Sequence, residues 1–205
     1  MNKPVHRSQM ERTQEMRDRL CRATLEVITD VGYEKTTTTM IAERAGVSRG
    51  AQTHHFPTKF DLVNASFKYL LRDWEDKRAA ETGGVETELS IESYIRFLWK
   101  EIFGHPLYVA ALELMLAARG DKRLHKGLVA ALDELTVLRQ TMWHHIFAGT
   151  GAEKERDIIM QMTVCLLRGL SMQGSIEDTN AHEEEVINMW IEMLKMRISR
   201  AEANK

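Results

Sequence analysis

Two short segments that meet at a glycine constrain this chain more than any other feature of its sequence. Met40, Ile41, Ala42 and Ala45 are the apolar positions of one short helix. Gly46 follows, Val47 supplies an apolar plug, and Ser48 opens a second short helix that Phe56-Pro57 ends. Helices shorter than about 12–15 residues are marginal in water by themselves, so both segments need neighbours to hold them. Each residue type at the corner has a physical reason. Ala42 is small where the next helix crosses closely. Gly46 permits a left-handed turn that a β-carbon disfavours. Val47 locks the pair from beneath, and Ser48 offers its hydroxyl as an N-cap. Two short helices joined by such a turn make a helix-turn-helix, here about 37–56, whose second helix is suited to the DNA major groove. The same corner also serves as a plain packing device in all-α proteins, and at this level both readings stand.

The rest of the chain reads as helix after helix. Met16, Leu20, Ala23, Val27, Ile28 and Val31 recur at steps of three and four, forming one apolar stripe that Gly32 stops. The run Thr36 to Thr39 places a threonine oxygen at the start of the second helix. Lys59 or Phe60 opens a longer helix to about Lys77. The stretch ETGGVETELS (81–90), with paired glycines and no apolar stripe, reads as a linker. Further helices are expected over 91–103, from Pro106 to Arg119, and at about 122–147, 153–173 and 181–200. With three prolines and few β-branched alternations, the expected class is all-α.

Charge and cysteine usage narrow the class further. The formal net charge of −2 argues against a wholesale nucleic-acid coat, yet bases outnumber acids up to Lys59 and acids outnumber bases beyond it. A mildly basic head on an acidic body suits a protein that offers one end to a polyanion. Cys21 and Cys165 have no CxxC partner and are expected to be reduced, buried thiols. No apolar run approaches the ~20 residues of a membrane helix, and the polar N-terminus has no apolar h-region. A cytoplasmic location without a membrane partner is the expectation.

From Arg19 to Leu62 the chain resembles the N-terminal domain of the TetR family of bacterial transcriptional regulators. The residues that carry the resemblance are Gly32-Tyr33, Thr36-Thr37, Ile41-Ala42, Ala45-Gly46-Val47-Ser48, Gly50, His55-Phe56 and Lys59…Leu62, in the family's order and spacing. There are two departures: Gln52 stands where the family usually has an aliphatic residue, and Thr53 where it usually has a tyrosine that supports a phosphate contact. The resemblance implies a DNA-binding surface of Thr36, Thr37, Ser48, Arg49, Gly50, Gln52, Thr53, His54, His55 and Lys59. Thr36 or Thr37 and Lys59 would meet backbone phosphates, which fix register without reading sequence. Arg49, Gln52 and Thr53 would read bases, since arginine pairs bidentately with guanine and glutamine with adenine. His54 and His55 point about 100° apart, one toward phosphate and one toward the packing surface.

The body carries two further expectations. The last helix has two apolar stripes: Ile187, Trp190, Leu194 and Ile198 form one, and Val186, Met189, Met193 and Met196 the other. The preceding helix spreads Ile158, Met162, Cys165, Leu166, Gly169 and Leu170 as widely. One buried face needs one stripe, so the second points to a homodimer through the last two helices, as the resemblance also implies. The middle helices are rich in aromatic and methionine residues, where the resemblance implies a small-molecule effector. Trp74, Phe97, Trp99, Tyr108, Met115, Trp143, His144 and Arg168 are its candidate contacts, although for each of them packing or surface pairing is an alternative role.

The expected architecture is therefore an N-terminal helix-turn-helix DNA-binding domain over 14–74, followed by a larger C-terminal helical ligand-binding and dimerisation domain over 75–205. The expected function is a transcription regulator, by family default a repressor. It would bind a palindromic operator in double-stranded DNA as a homodimer and be released by the effector. An enzyme is not expected, because there is no Gly-rich phosphate loop and no GxSxG. Neither a cofactor nor a metal is expected, because His105, His125, His144 and His145 contain no i, i+4 pair and no Cys/His cluster has ligand spacing. The competing reading is a helical partner-binding protein that has lost specific DNA reading.

Overall fold

The computed structural model describes residues 8–82, 90–176 and 182–203. Among these the regular structure is helical: α1 Gln9–Val31, α2 Thr38–Ala45, α3 Arg49–His55, α4 Lys59–Thr82, α5 Ile91–Phe97, α6 Tyr108–Ala117, α7 Lys122–Phe147, α8 Arg156–Gly174 and α9 Glu183–Ala203. The chain divides into two compact units. The first runs to Arg72 and takes in Ala110–Ala131; the second holds Asp73–Val109 and the residues from Leu132 onward.

In the first unit, α1 is stopped and started by its own sequence. Ser8 and Glu11 exchange reciprocal hydrogen bonds in a capping box at its N-terminus. At the other end Gly32 takes a positive φ of 80°. Of the expected stripe Leu20, Ala23, Val27 and Ile28 are buried and Met16 and Val31 partly so; with Cys21, which lies outside the stripe, Leu20, Ala23 and Val27 close over Ile41, Ala45, Phe56 and Leu62. Arg44 of α2 reaches back to Asp30 at 2.5 Å and to Glu26 at 3.5 Å, tying α2 along α1. The stretch Ala110–Ala131 adds Leu114, Ala118, Leu124 and Leu128 to the buried set of this unit. There Arg123 lies over the Phe60 ring, 3.9 Å from its centre.

The second unit has an aromatic core. Trp143 sits edge-on to Tyr94 at 5.6 Å and stacks on Phe147 at 5.5 Å, while Tyr108 meets Phe103 at 4.9 Å and Trp74 at 5.7 Å. α8 and α9 lie antiparallel, joined where Trp190 Nε1 donates to Thr163 Oγ1 at 3.1 Å and where Arg197 pairs with Glu155. Their inward residues are Ile159, Thr163, Leu167, Leu170, Ile187, Ile191 and Leu194.

Several boundaries differ from the periodicity. α4 continues five residues past Lys77 to Thr82, because its charged tail (Asp73, Glu75, Lys77, Arg78) is satisfied by i, i+3 and i, i+4 ion pairs that need no apolar stripe. Of the expected linker 81–90, residues 83–89 lie outside the described residues. The expected helix over 91–103 is α only to Phe97 and then widens to a π-helix over Leu98–Phe103. There the Gly104 N–H reaches back five residues to the Trp99 carbonyl at 2.7 Å. Pro106 lies in the turn before α6 rather than in its first turn. Cys21 is buried, and burial raises its thiol pKa to about 11. Cys165, expected to be buried, is exposed, because α8 turns that face away from its own core.

The turn between α2 and α3 supplies a direct test. Gly46 holds φ 62° and ψ 39°, its N–H reaches Glu43 O at 3.0 Å, and the Val47 N–H reaches Ala42 O at 2.9 Å. This Schellman pairing closes the open carbonyls of α2. Gly46→Ala is expected to destabilise the protein by about 1–2 kcal/mol, the cost of a left-handed residue with a β-carbon. Denaturant unfolding of the two proteins measures it.

Candidate nucleic-acid interface

The candidate surface is built on α3, seven residues long. Ser48 caps its start by accepting the Ala51 N–H on Oγ at 3.1 Å. At about 100° per residue, Arg49, Gly50, Thr53 and His54 fall within one arc of roughly 140°. All four are exposed, as is Ser48. The Thr53 hydroxyl donates to Arg49 O at 3.0 Å and keeps its lone pairs outward. Gly50 leaves the face open: a β-carbon there would meet only Ser48 Oγ, at 3.9 Å. The Arg49 guanidinium makes no ion pair with the described residues.

Two arginines of α1 fasten the ends of this helix. Arg19 donates to Gly46 O at 3.2 Å, in the turn that precedes α3. Arg17 donates to His55 O at 3.0 Å, on the last residue of α3, and lies over the Phe56 ring at 4.3 Å. A cation on the last carbonyls of a helix also complements its dipole. The periodicity of α1 carries no signal for these contacts, because both arginines read there as part of the polar face.

The remaining expected residues divide by burial. Gln52, placed among the base readers from sequence, is 1% exposed, and its Nε2 donates to Phe56 O at 2.8 Å. Its amide serves the inside of the head, outside the exposed arc of α3. Of the two threonines, Thr36 is buried and donates its hydroxyl to Gly32 O at 2.7 Å. Thr37 is exposed and caps α2, accepting the Met40 N–H at 3.2 Å. Lys59 is half-buried: Nζ donates to Tyr33 O at 2.8 Å and lies 4.4 Å over the Tyr33 ring, and burial lowers its pKa. Glu113 accepts the N–H of the same Tyr33 at 3.3 Å, so that corner is held on both sides. His54 is exposed and His55 half-buried, the two rings meeting edge-on at 5.3 Å.

The candidate effector residues do not form one group. Trp74 and Tyr108 pack together, and Arg168 donates Nε to the Tyr108 hydroxyl at 3.0 Å. Burial raises the pKa of that phenol, against the lowering effect of Arg168. Phe97 stacks on Tyr94 at 6.3 Å, and Tyr94 links it to Trp143. Trp143 is 1% exposed, and among the described residues its indole N–H has no hydrogen-bond partner. Trp99 is tied to the start of α9 through Nε1 to Glu183 at 2.6 Å, and the exposed His144 meets Arg156. Met115 belongs to the first unit, apart from the other seven. Among the described residues, no group of three or more His, Cys, Asp or Glu is placed to hold a metal ion. No helix there is long and apolar enough to cross a membrane.

A capped, outward-facing short helix behind a left-handed glycine turn has the geometry of a helix-turn-helix. The family model for bacterial regulatory proteins of the tetR family matches residues 20–66. The regulator CymR of Pseudomonas putida is 27% identical over 198 residues, covering 96% of this chain and 98% of its own length. BetI of Stenotrophomonas maltophilia is 37% identical over 60 residues, 29% of this chain and 31% of BetI. Two solved structures share the fold. A TetR-family regulator from Rhodococcus sp., described as putative, has a TM-score of 0.68 at 18% identity, covering 90% of this chain and 100% of that one. The multidrug binding protein EbrR, complexed with imidazole, has a TM-score of 0.55 at 21% identity, covering 89% and 93%. Residues 20–66 therefore match a domain of bacterial regulatory proteins, and the relatives named are transcriptional regulators, which supports a DNA-binding regulator.

His55 gives the head a pH dependence. Burial, followed by the charges of His54 and Arg17, lowers its pKa from the ordinary 6.5. As pH falls below 6.5, the unfolded chain takes up a proton that folded His55 resists, so stability falls over that interval. Unfolding curves between pH 7.5 and pH 5, a range set by ordinary histidine titration, are expected to show this loss, and His55→Gln is expected to reduce its slope.

Proposed function

We propose that this regulator is a repressor that binds a palindromic operator as a homodimer and is released by a small-molecule effector. Residues 14–74 form its DNA-binding domain, and 75–205 the effector-binding and dimerisation domain. The observation that carries the DNA reading is the outward face of α3, where Arg49 stands exposed, with no ion pair among the described residues, beside Gly50, Thr53 and His54. Arg49 reads a guanine, Thr53 and His54 meet neighbouring base edges or phosphates, and Gly50 lets the helix approach closely. Thr37 and Ser48, exposed at two helix N-termini, meet phosphates together with Lys59. His55 supports the face from behind. Gln52 and Thr36 contribute by packing, and this moves base reading onto Arg49.

Supporting the dimer are Ile158, Met162, Met189, Met193 and Met196, each at least half exposed on the outward sides of α8 and α9. An apolar surface of that kind on a water-soluble chain marks an interaction site. Two protomers related by a two-fold axis present two copies of α3 and read an inverted repeat. The effector reading is supported by the buried Trp143 N–H, a donor left for a ligand acceptor beside Tyr94 and Phe147. EbrR, of similar fold, is a multidrug binding protein. The effector acts by preferring the released state, which couples its site to DNA affinity.

Selection from a random duplex library at low salt tests the DNA reading. One inverted repeat is expected to enrich, with affinity falling steeply as salt rises. Arg49→Ala is expected to weaken binding to the selected site by about 1–3 kcal/mol, the worth of a bidentate base contact, and to relax one base position. If no sequence enriches, the helical partner-binding reading replaces this one. For the dimer, Met193→Glu places a charge in the exposed stripe and is expected to yield a folded monomer by sedimentation. An unchanged dimer would move the interface elsewhere.

A further inference from the structure

We infer that Glu113 of α6 is a positioning residue for DNA binding: through Tyr33 it fixes the seat from which Lys59 meets a phosphate. The inference rests on the DNA reading above, where Lys59 is a phosphate contact, and adds the residue that holds this contact in place. Glu113, Tyr33 and Lys59 all belong to the first compact unit.

The sequence of α6, YVAALELMLA, contains one charged side chain, Glu113. Its neighbours Ala110, Ala111 and Leu114 are buried, and Glu113 itself is half-buried. A carboxylate drawn out of water needs compensating bonds. Among the described residues Glu113 makes no ion pair; its Oε2 accepts the Tyr33 N–H at 3.3 Å, across 80 positions of sequence. The same oxygen lies against Gly32, where a β-carbon would stand 3.4 Å from it. The acid of α6 is thus spent on the backbone of the two residues that follow α1. Other acids near this corner act differently. Asp121 accepts the Arg123 and Leu124 N–H groups, while Glu34 acts on Tyr33 and Lys59 by charge.

Tyr33 passes this restraint to Lys59. Its carbonyl accepts Lys59 Nζ at 2.8 Å and the Thr36 N–H at 3.3 Å, and its ring lies 4.4 Å from the ammonium. One Nζ donor is used on Tyr33 and two are left for a phosphate. A long lysine side chain loses much rotamer freedom when it is ordered, so a seat formed in advance lowers the cost of the contact. Without Glu113 the Tyr33 N–H is released, the turn loosens, and Lys59 must be ordered when DNA binds.

Fluorescence anisotropy of the full-length protein tests the inference on two labelled duplexes, the one selected from the random library and a shuffled duplex of equal length. Glu113→Ala is expected to weaken binding to both about tenfold, because phosphate contacts carry no sequence information. The slope of log affinity against log salt is expected to fall by about one for each bound protomer. By charge alone, removing an acid would strengthen binding to a polyanion, so the sign separates positioning from general electrostatics. Glu113→Gln keeps an acceptor oxygen at the same reach and is expected to stay within about threefold of wild type. Glu113→Asp keeps the charge but withdraws it by one methylene, and is expected to behave as the alanine variant. In a Lys59→Gln background Glu113→Ala is expected to cost nothing further.

If circular dichroism shows that Glu113→Ala loses helix, Glu113→Asp decides in its place. Wild-type affinity and salt slope in the deciding variant overturn the role of Glu113 while the DNA reading stands. An equal loss in the Lys59→Gln background overturns it as well, since the effect then arises from general loosening of the head. A wild type that selects no duplex and binds none at low salt overturns the DNA reading and the role of Glu113 with it.

Discussion

The recognition helix is too short to hold itself, and the organisation of the head follows from that. Seven residues give α3 few internal hydrogen bonds, well below the length at which a helix persists alone in water. Its position comes from fastenings at both ends. Gly46 and Ser48 set where it starts, and Arg19 holds the carbonyl of the turn. At the far end Arg17 holds the His55 carbonyl, while Gln52 and the buried Phe56 turn the chain inward. Each bond is modest in net energy. Together they hold the outward face of α3 in place against α1.

Gln52 shows how this fastening allocates chemistry. Its side chain could pair with adenine, yet it sits at a position where the TetR resemblance has an aliphatic residue, and here it is buried. A polar side chain in that place needs a partner, and the Phe56 carbonyl supplies one. The side chains that α3 turns outward are Arg49, Thr53 and His54. Thr36 and Thr37 divide in the same way: adjacent residues at a helix start point apart, so one hydroxyl serves the packed corner and the other stays exposed as a cap.

The two stripes of the last helix were legible in the sequence in outline: Ile187 and Leu194 are buried and Met189, Met193 and Met196 exposed, while Val186 is half-buried and Ile191, in neither stripe, is buried. The helix-turn-helix was legible as well, since glycine, cap and apolar plug act locally. Other features had no local signal. The clamps from Arg17 and Arg19 join residues 38 and 27 positions apart. The π-helical stretch depends on the Gly104 N–H finding Trp99 O, a choice that apolar spacing does not reveal. Cys165 looked buried because an apolar stripe does not say which of two surfaces it faces. The aromatic and methionine residues of the middle helices formed one set by composition, although Met115 belongs to a different compact unit from the others.

By itself the sequence determined that the chain is helical, where its first helices start and stop, and that the motif over residues 44–56 belongs to the TetR pattern. These properties depend on periodicity, caps and turn residues, whose physics spans a few neighbours. Tertiary structure alone decided which polar residues of α3 face outward, which arginines hold it, and which aromatic N–H is buried without an acceptor among the described residues. Those outcomes depend on contacts between distant segments, which periodicity along one helix does not encode.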